Sequence, residues 1–319
     1  MAFFEAPSYY CIMATLVKKQ RTTRRPRLKK WDKIFLCVML GIPIVYFLVF
    51  WVYVNFDSIL LAFRTTTGEW STLNLEKAWK ELTTGGGELF IALRNTLLIF
   101  TVNVVLIPLE VLIAYFFYRK IKGYRIFQVI FYLPSIISTV VICQSFIDVI
   151  ANDGPLGTLL INMGVDLPKE GLLGTSVTAM PVVLFYMMWI GWGGNMLLLG
   201  GAMSRIPKEV LESARIDGVN TFQEIIYFVF PLLWSSISVF LLLAVTSLLI
   251  TSGPILALTG GAYETSTIAY WIYAKLRGNA VSQSNYNEVA ATGLLLTVLY
   301  MPIVLGIRKL LEKVPTVQF

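Results

Sequence analysis

Histidine is absent from this sequence, and only 14% of its 319 residues are charged. Without histidine, the chain lacks the commonest general base of enzymes and a usual ligand of zinc. The three cysteines, Cys11, Cys37 and Cys143, have no spacing typical of a metal site or a disulfide framework. No Gly-x-x-x-x-Gly-Lys-Ser/Thr motif occurs, so the chain has no P-loop to bind nucleotide phosphates. We therefore expect no catalytic residue, no metal site and no cofactor bound by this chain.

Apolar side chains, in contrast, are in excess. Hydrophobic residues make up 56% of the chain, whereas a soluble globular protein has about 45–50% apolar and about 25% charged residues. A helix that crosses a membrane needs about 20 mostly apolar residues. Runs of this kind occur at residues 34–54, 96–118, 126–150, 176–203, 226–250 and 289–307. The sequence therefore predicts an all-α, polytopic membrane protein with six transmembrane helices.

Basic residues predict the orientation of these spans, because cytoplasmic loops of membrane proteins are enriched in lysine and arginine. They cluster at residues 18–30, 119–125, 205–215 and 308–313. We therefore expect both termini in the cytoplasm. The chain would have a basic tail at residues 1–30 and a transmembrane domain at residues 31–319.

The basic tail has two possible partners. Eight of the 26 basic residues lie within residues 18–30, directly before the first apolar run. A nucleic-acid-binding arm is one possibility, but this position is typical of a cytoplasmic segment next to a membrane. We therefore expect contact with membrane lipid and no nucleic acid. Residues 1–15 are apolar and aromatic but short, and the choice between a membrane-surface segment and a disordered one stays open.

The most polar part of the second half of the chain lies between two apolar runs, at residues 204–225, which we call the charged loop. Pro207 suits the first turn of a helix, and Gly218 suits a left-handed turn at its end. Thr221 and Glu224 have the spacing of a capping box, which predicts a second short helix. The loop is therefore expected to form two short helices that meet at Gly218. It could be a simple amphipathic connection between spans or a surface for a partner.

The charged loop also resembles the EAA motif of ABC importer permeases, the membrane subunits of binding-protein-dependent uptake systems. In that motif Glu-Ala-Ala is followed after three residues by Gly, and here Glu212-Ser213-Ala214 is followed by Gly218, with Pro231 at the family distance. The stretches that resemble other family patterns, several of them typical of the carbohydrate branch, are Asp217-Gly218, Trp189, Leu258–Ala262, Arg94-Asn95-Thr96-Leu97 and Phe131-Tyr132-Leu133-Pro134. The resemblance runs from about residue 90 to the C-terminus.

The resemblance implies the transmembrane domain of a type I ABC importer in the cytoplasmic membrane of a bacterium or archaeon. It implies a second permease subunit in a heterodimer, two ATPase subunits that use ATP and Mg²⁺, an extracytoplasmic sugar-binding protein and a carbohydrate substrate. It also implies that the charged loop docks on an ATPase subunit and couples ATP hydrolysis to alternating access. The implied coupling residues are Pro207, Glu209, Glu212, Ser213, Ala214, Asp217 and Gly218.

Polar residues near or within the predicted spans are candidates for the substrate path. Glu110 is the clearest intramembrane carboxylate, and an ionisable residue there is a functional candidate by default. It could contact substrate, face a water-filled cavity or pair with a basic residue such as Arg94. Thr251 and Ser252, at the end of the fifth span, are further polar candidates.

An aromatic face in the fourth span is the other candidate for the substrate path. Tyr186, Trp189 and Trp192 recur every three residues and therefore share a face, with Asn195 one turn further. Aromatic rings suit the C–H surfaces of sugars, and the Asn195 amide could bond to hydroxyl groups. Packing between helices, or an aromatic belt at the membrane surface, would account for the same residues.

Two other functions fit a polytopic membrane protein. An ion-coupled secondary transporter usually has repeated halves, interrupted helices and several intramembrane charges, whereas here Glu110 is the clearest such charge and no inverted repeat stands out. A membrane enzyme would have neither histidine nor clustered acids within the spans. The sequence therefore favours a transport subunit that is not an enzyme, with the self-contained secondary transporter as the alternative.

Overall fold

The computed structural model describes residues 30–277 and 282–314, and of these the side chains of Asp32, Lys33 and Lys208 are left out. Nearly all of the predicted basic tail, residues 1–29, therefore lies outside the described residues. The described residues divide into two units, one ending at Ser58 and the other beginning at Ile59.

The part of the chain that the structure describes is helical, apart from loops and one isolated antiparallel bridge between Arg64 and Trp70. The helices are α1 (Lys30–Tyr46), a π-helical stretch (Phe47–Tyr53), α2 (Val54–Ala62), α3 (Leu73–Thr83), α4 (Glu88–Tyr118), α5 (Tyr124–Ile136), α6 (Thr139–Ile150), α7 (Pro155–Asn162), α8 (Ala179–Met203), α9 (Lys208–Ile216), α10 (Thr221–Glu224), a second π-helical stretch (Ile225–Val229), α11 (Phe230–Leu232), α12 (Trp234–Ser247), α13 (Ile255–Leu258), α14 (Ile268–Arg277) and α15 (Gln283–Glu312). The mostly helical architecture is the one that the apolar runs predict.

Four continuous helical segments are long and apolar enough to cross a membrane: Ile34–Ala62, Glu88–Tyr118, Ala179–Met203 and Gln283–Glu312. Two further candidates are bent pairs of helices. The chain turns by 108° between α5 and the segment Thr139–Asn162, and by 71° between Thr221–Leu232 and α12. The described residues thus hold four candidate spans, or up to six if each bent pair is one span.

The two bends coincide with prolines. Pro134 lies in the last turn of α5, and the backbone of Ile137 and Ser138 after it is extended. Pro231 follows the π-helical stretch and precedes the bend at Leu233. A proline in a helix removes a hydrogen-bond donor and crowds the carbonyl four residues earlier, which widens or breaks the helix. The apolar runs at 126–150 and 226–250 thus each form helices joined at a bend, whereas Pro108 and Pro302 lie inside continuous helices, so a proline alone does not produce such a bend.

Three clusters of buried apolar side chains hold the second unit together. One joins the C-terminal half of α4 and α8 to the charged loop, through side chains that include Tyr115, Leu199 and Leu211. Another joins α6 to α8 around Tyr186, and the third joins α3, α4 and α14 around Trp271. Between helices in lipid such packing is stabilised mainly by van der Waals contact. Helices α4 and α8 therefore form the frame on which the charged loop rests.

Helices α5 and α8 approach each other closely at Gly193. A Cβ atom at this position would lie 2.8 Å from both the Phe131 carbonyl oxygen and the Ser135 hydroxyl oxygen. Beside this contact the Trp192 ring stacks on the Phe131 ring, with centroids 5.3 Å apart and planes 3° from parallel. The absence of a side chain at Gly193 thus allows the α5 backbone to pack directly on α8.

Gly193→Ala is expected to lower the stability of the protein, because the added methyl group forces α5 away from α8. Overpacking of this kind costs about 1–3 kcal/mol. Gly191→Ala is the matched control on the same helix, since a Cβ atom there meets nothing within 4 Å, and alanine is the better helix former. Thermal unfolding in detergent should show a lower midpoint for Gly193→Ala only. Equal midpoints would contradict the close approach.

Candidate functional site

The first helix of the charged loop packs one face against its own chain. Helix α9 begins after Pro207, whose backbone is non-helical (φ −59°, ψ 130°), so Pro207 stands just before the first turn. Leu211 and Ala214 are buried and lie three residues apart on one face. Leu211 belongs to the same apolar cluster as Tyr115 of α4 and Ile225 beyond the loop. This packing fixes which side of α9 turns outward.

The outward face of α9 carries acids, a serine and one apolar side chain. Glu209, Glu212, Ser213 and Ile216 recur at i, i+3, i+4 and i+7, and all are exposed. The Ile216 residue is 85% exposed. Three of the residues that the family resemblance implicates, Glu209, Glu212 and Ser213, therefore share this face, whereas Ala214 points inward.

The turn after α9 has the left-handed conformation predicted for Gly218. Its φ is +80°, a region that residues with a Cβ atom seldom occupy. The Val219 N–H group donates to the Ala214 carbonyl at 3.1 Å, five residues back, as in a Schellman cap. Asp217 is the exposed C-cap residue of α9. The prediction for Gly218 is confirmed.

The predicted capping box at Thr221 and Glu224 is wrong by one residue. The N-cap residue of α10 is Asn220, whose side-chain oxygen accepts from the Gln223 N–H group at 2.9 Å, while the Gln223 side chain accepts from the Asn220 N–H group at 3.1 Å. Asn is as good an N-cap as Thr or better. Because Asn220 and Gln223 cap the helix, the Thr221 and Glu224 side chains are available for other contacts.

Glu224 forms an ion pair with Arg215 of α9. Arg215 donates from Nη2 to Oε1 of Glu224 at 2.9 Å and from Nε to Oε2 at 3.1 Å. The Glu224 side chain is only 2% exposed, against 41% for Arg215. The hydrogen bond to Glu224 raises the pKa of the Arg215 guanidinium above its ordinary value, although partial burial opposes the charge. The ion pair therefore joins α9, the first helix of the charged loop, to α10, the second.

Arg119 links this loop to α4. Its Nη1 atom donates to the Tyr115 hydroxyl at 3.2 Å and to the Thr221 hydroxyl at 3.2 Å. Tyr115 is fully buried and its side chain also interacts with Glu224. The motifs in the sequence do not predict this network. The signal that pointed to it was a pair of opposite charges nine residues apart, on the two sides of a glycine turn.

Glu110 and Asn195, both candidates for the substrate path, bind each other. The Asn195 amide donates to the two carboxyl oxygens of Glu110 at 3.0 and 3.1 Å, which joins α4 to α8. Glu110 is 2% exposed. The suggested pairing with Arg94 is wrong, because Arg94 lies 3.5 Å from Glu264 instead. The structure therefore gives both polar groups a partner within the chain.

The aromatic face of α8 is largely used for packing. Tyr186 is buried, and its hydroxyl lies 2.8 Å from the Cys143 sulfur. Its ring meets the Trp189 ring edge-on, with centroids 6.2 Å apart, and Trp192 stacks on Phe131. Trp189 is 42% exposed. Of the three aromatic candidates, Trp189 thus offers the most free surface.

The two polar candidates after the fifth span bond to nearby backbone. The Thr251 hydroxyl donates to the Ser247 carbonyl at 2.8 Å, and the Ser252 hydroxyl to the Gly253 carbonyl at 3.4 Å. Thr251 lines a small crevice that also includes Asn103 and Ser247. The chain just beyond Ser252 packs beside α8, since Ile255 belongs to the same buried cluster as Tyr186.

The Arg94–Leu97 stretch, which resembles a family motif, contacts the segment that follows the Leu258–Ala262 stretch. The Asn95 amide donates to the carbonyl oxygens of Glu264 at 2.6 Å and Ser266 at 2.9 Å, and the Thr96 hydroxyl accepts from the Ile268 N–H group at 3.1 Å. These partners are some 170 residues apart in sequence. The start of α4 therefore holds the loop that follows Thr259-Gly260-Gly261. Spacing alone gave no sign of this contact.

A cavity of about 800 Å³ lies between α4, α5, α8 and the charged loop. Its wall includes Tyr132 and Gln128 of α5, Gly200 of α8, and Glu212 and Arg215 of α9. This volume is within the range of small-molecule pockets. Since α9 forms one wall, any displacement of α9 changes the shape of the cavity.

Asn195→Leu is expected to destabilise the protein, because it leaves the buried Glu110 carboxyl group without its donor. An unsatisfied buried polar group costs about 1–3 kcal/mol. Glu110→Gln is the milder variant, since it keeps the shape and a carbonyl oxygen that can accept from Asn195. Thermal unfolding should give a lower midpoint for Asn195→Leu than for Glu110→Gln. The same midpoint for both would show that the contact does not stabilise the α4–α8 pair.

Comparisons with known proteins agree with this architecture. The family described as "Binding-protein-dependent transport system inner membrane component" matches residues 106–313. The chain is 28% identical, over 298 residues, to the multiple sugar-binding transport system permease protein MsmF of Streptococcus mutans, covering 91% of this chain and 97% of that one. It is 30% identical over 214 residues to the probable ABC transporter permease protein PH1215 of Pyrococcus horikoshii, covering 65% and 72% of the two chains.

A solved structure shares the fold. A chain of a bacterial ABC transporter involved in the import of the acidic polysaccharide alginate superposes with a TM-score of 0.75, at 22% sequence identity, over 90% of this chain and 99% of that chain. The relatives are permease subunits, which are transport components and not enzymes. The family match covers more than half of the sequence, and this chain therefore belongs to the inner-membrane components of binding-protein-dependent transport systems.

Proposed function

We propose that this chain is the transmembrane permease subunit of an ATP-binding-cassette importer that moves a sugar or oligosaccharide into the cytoplasm by alternating access. A separate ATPase would drive it through the charged loop. The observation that carries the proposal is the two-sided α9: Leu211 and Ala214 anchor it to the chain, and Glu209, Glu212 and Ile216 face outward.

The outward face of α9 has the composition of a docking surface. Ile216 is an exposed apolar side chain beside acidic ones, and such a side chain can fill a partner's pocket as the centre of an interface. Glu209 and Glu212 can accept charge-assisted hydrogen bonds at its edge. Gly218 then fixes the angle at which the chain returns to the fifth span. Pro207, Ser213 and Asp217 complete the docking segment, with Ala214 as its inward anchor.

The proposed topology has six spans with both termini in the cytoplasm, where each bent pair of helices counts as one span. It follows from the basic clusters at 119–125, 205–215 and 308–313. Residues 1–30 form the cytoplasmic tail and residues 31–319 the transmembrane domain of a type I importer. The cavity beside α9 then opens to the cytoplasm.

The location is the cytoplasmic membrane of a bacterium or archaeon. Reporter fusions that place the charged loop outside the cell would refute this orientation.

The proposed assembly contains a second permease subunit in a heterodimer, two ATPase subunits that use ATP and Mg²⁺, and an extracytoplasmic sugar-binding protein. The name of the Streptococcus mutans relative refers to sugars, and a second solved structure with the same fold holds a pentasaccharide-bound periplasmic protein. For the substrate path, Trp189 is the best-exposed candidate. Glu110 and Asn195 would position α4 against α8. The other candidates would support the wall of the path without contacting the sugar; they are Tyr186, Trp192, Thr251 and Ser252.

Copurification and uptake test this function together. The tagged chain is purified from the membranes of its host and reconstituted in liposomes with its copurified subunits and its binding protein. We expect ATPase subunits in stoichiometric amounts, and ATP-dependent uptake from a panel of labelled disaccharides and oligosaccharides. Uptake by the purified single chain on an ion gradient without ATP would contradict the proposal and support the secondary transporter.

Glu212→Lys and Gly218→Pro are expected to uncouple ATP hydrolysis from uptake while leaving membrane insertion intact. The first reverses a charge on the docking face, and the second forces φ near −65° where the chain needs +80°. The reversed charge at the edge of the docking face and the broken turn should each lower uptake by about tenfold, which corresponds to about 1.4 kcal/mol at an interface. Glu69→Lys is the control, because it makes the same charge change on an exposed residue outside the charged loop. Wild-type uptake by both variants would refute the docking assignment.

A further inference from the structure

We propose that the Arg215–Glu224 ion pair and the Arg119–Thr221 hydrogen bond fasten the charged loop to the end of α4, so that the loop and α4 move as one body. This inference rests on the proposed function, since it assigns a role to residues that do not touch the ATPase or the sugar. Arg215, Glu224 and Arg119 would be positioning residues that carry displacement of α9 into the spans.

The polar contacts tie three separate pieces of backbone together. Arg215 on α9 donates two hydrogen bonds to the Glu224 carboxylate on α10, at 2.9 and 3.1 Å. Arg119, the residue after the last turn of α4, reaches Thr221 on α10 at 3.2 Å. Tyr115 on α4 receives a hydrogen bond from Arg119 and its side chain interacts with Glu224. A force on α9 is therefore passed to α10 and to α4 through groups with fixed geometry.

Apolar packing lies directly behind this network. Leu211 of α9, Ile225 after α10 and Tyr115 of α4 belong to one buried cluster, which continues to Leu199 and Met203 of α8. Packed side chains resist compression and transmit displacement. The polar contacts also hold α9 in one orientation relative to α10, because a guanidinium fork bound to a carboxylate has a defined orientation.

The burial of Glu224 makes the contact sensitive above all to the loss of Arg215, because Arg215 itself is 41% exposed. A carboxylate that is 2% exposed is stable as an anion only while its charge is matched, and removal of one member of a buried pair leaves an uncompensated charge. The Arg308–Glu312 pair on α15 is a natural contrast, because it joins the same residue types at 2.8 Å with both side chains about 60% exposed. Exposed pairs contribute little.

The network ends close to the contact between α4 and α8. Tyr115 and Arg119 lie on the same helix as Glu110, which is held by Asn195 of α8. A displacement of α9 that reaches α4 would therefore reach α8 through this polar contact and the shared apolar cluster. Movement of the docking face, carried to α4 and α8, then changes the cavity against its α5 wall, which includes Gln128 and Tyr132.

A double-mutant cycle on the assembled importer tests this inference. Arg215→Gln, Glu224→Gln and the double variant are reconstituted with the ATPase subunits and binding protein. The quantity measured is the number of saccharide molecules taken up per ATP hydrolysed, with the panel saccharide that the wild type transports best. Each single variant should lower this ratio by about fivefold at unchanged subunit stoichiometry, and the double variant should be no worse than either, because contacting residues couple.

Arg308→Gln and Glu312→Gln form the matched control cycle, and both should leave the ratio at its wild-type value. Additive effects at 215 and 224, or effects no larger than at 308 and 312, would overturn the inference. If the Glu224→Gln variant fails to assemble, the Thr221→Val variant tests the inference in its place. Thr221 is exposed, and its replacement by valine removes only the hydrogen bond from Arg119. It should lower the ratio by about twofold, and an unchanged ratio would overturn the fastening. A wild-type complex without ATPase subunits or uptake would instead refute the proposed function itself.

Discussion

Glu224 is a carboxylate that the chain buries almost completely, and the fork of Arg215 compensates its charge. The pair fixes the angle between the two short helices of the charged loop, which meet at Gly218. With that angle fixed, Leu211 and Ala214 are held against the α4–α8 frame and Glu209, Glu212 and Ile216 turn outward. The charge pair thus supports, from outside the docking face, the sidedness that the packing of Leu211 and Ala214 sets.

Glu110 is a second buried carboxyl group, which lies inside the helical bundle and is bound by a neutral amide. Glu110 has no cation beside it among the contacts of the described residues, and the Asn195 amide donates to both of its oxygens. Neutral donors between helices in lipid contribute modestly, on the order of 1 kcal/mol, so this contact orients α4 and α8 more than it binds them. It also leaves Trp189, and not Glu110 or Asn195, as the candidate with free surface for a sugar ring.

The sequence allowed prediction of features that depend on local chemistry. The apolar runs predicted a helical membrane protein, and Gly218 predicted the left-handed turn. The capping box was placed one residue late because Asn220 and Thr221 are both good N-caps, and only the course of the chain decides between them. The bends near Pro134 and Pro231 were not predicted, because proline is tolerated inside transmembrane helices as well as at their breaks. The contacts of Asn95, Thr96 and Glu110 lie across long sequence separations and leave no periodic pattern.

We propose that the charged loop meets the ATPase with one face and is fastened to α4 by the other. Experimental structures of the assembled importer, without nucleotide and trapped with ATP, test this claim most directly. We expect the ATPase to contact Glu209, Glu212, Ser213 and Ile216. We also expect the Arg215–Glu224 distances to remain the same in both states while α9 moves together with α4. An ATPase bound elsewhere, or an ion pair that opens between the two states, would contradict it.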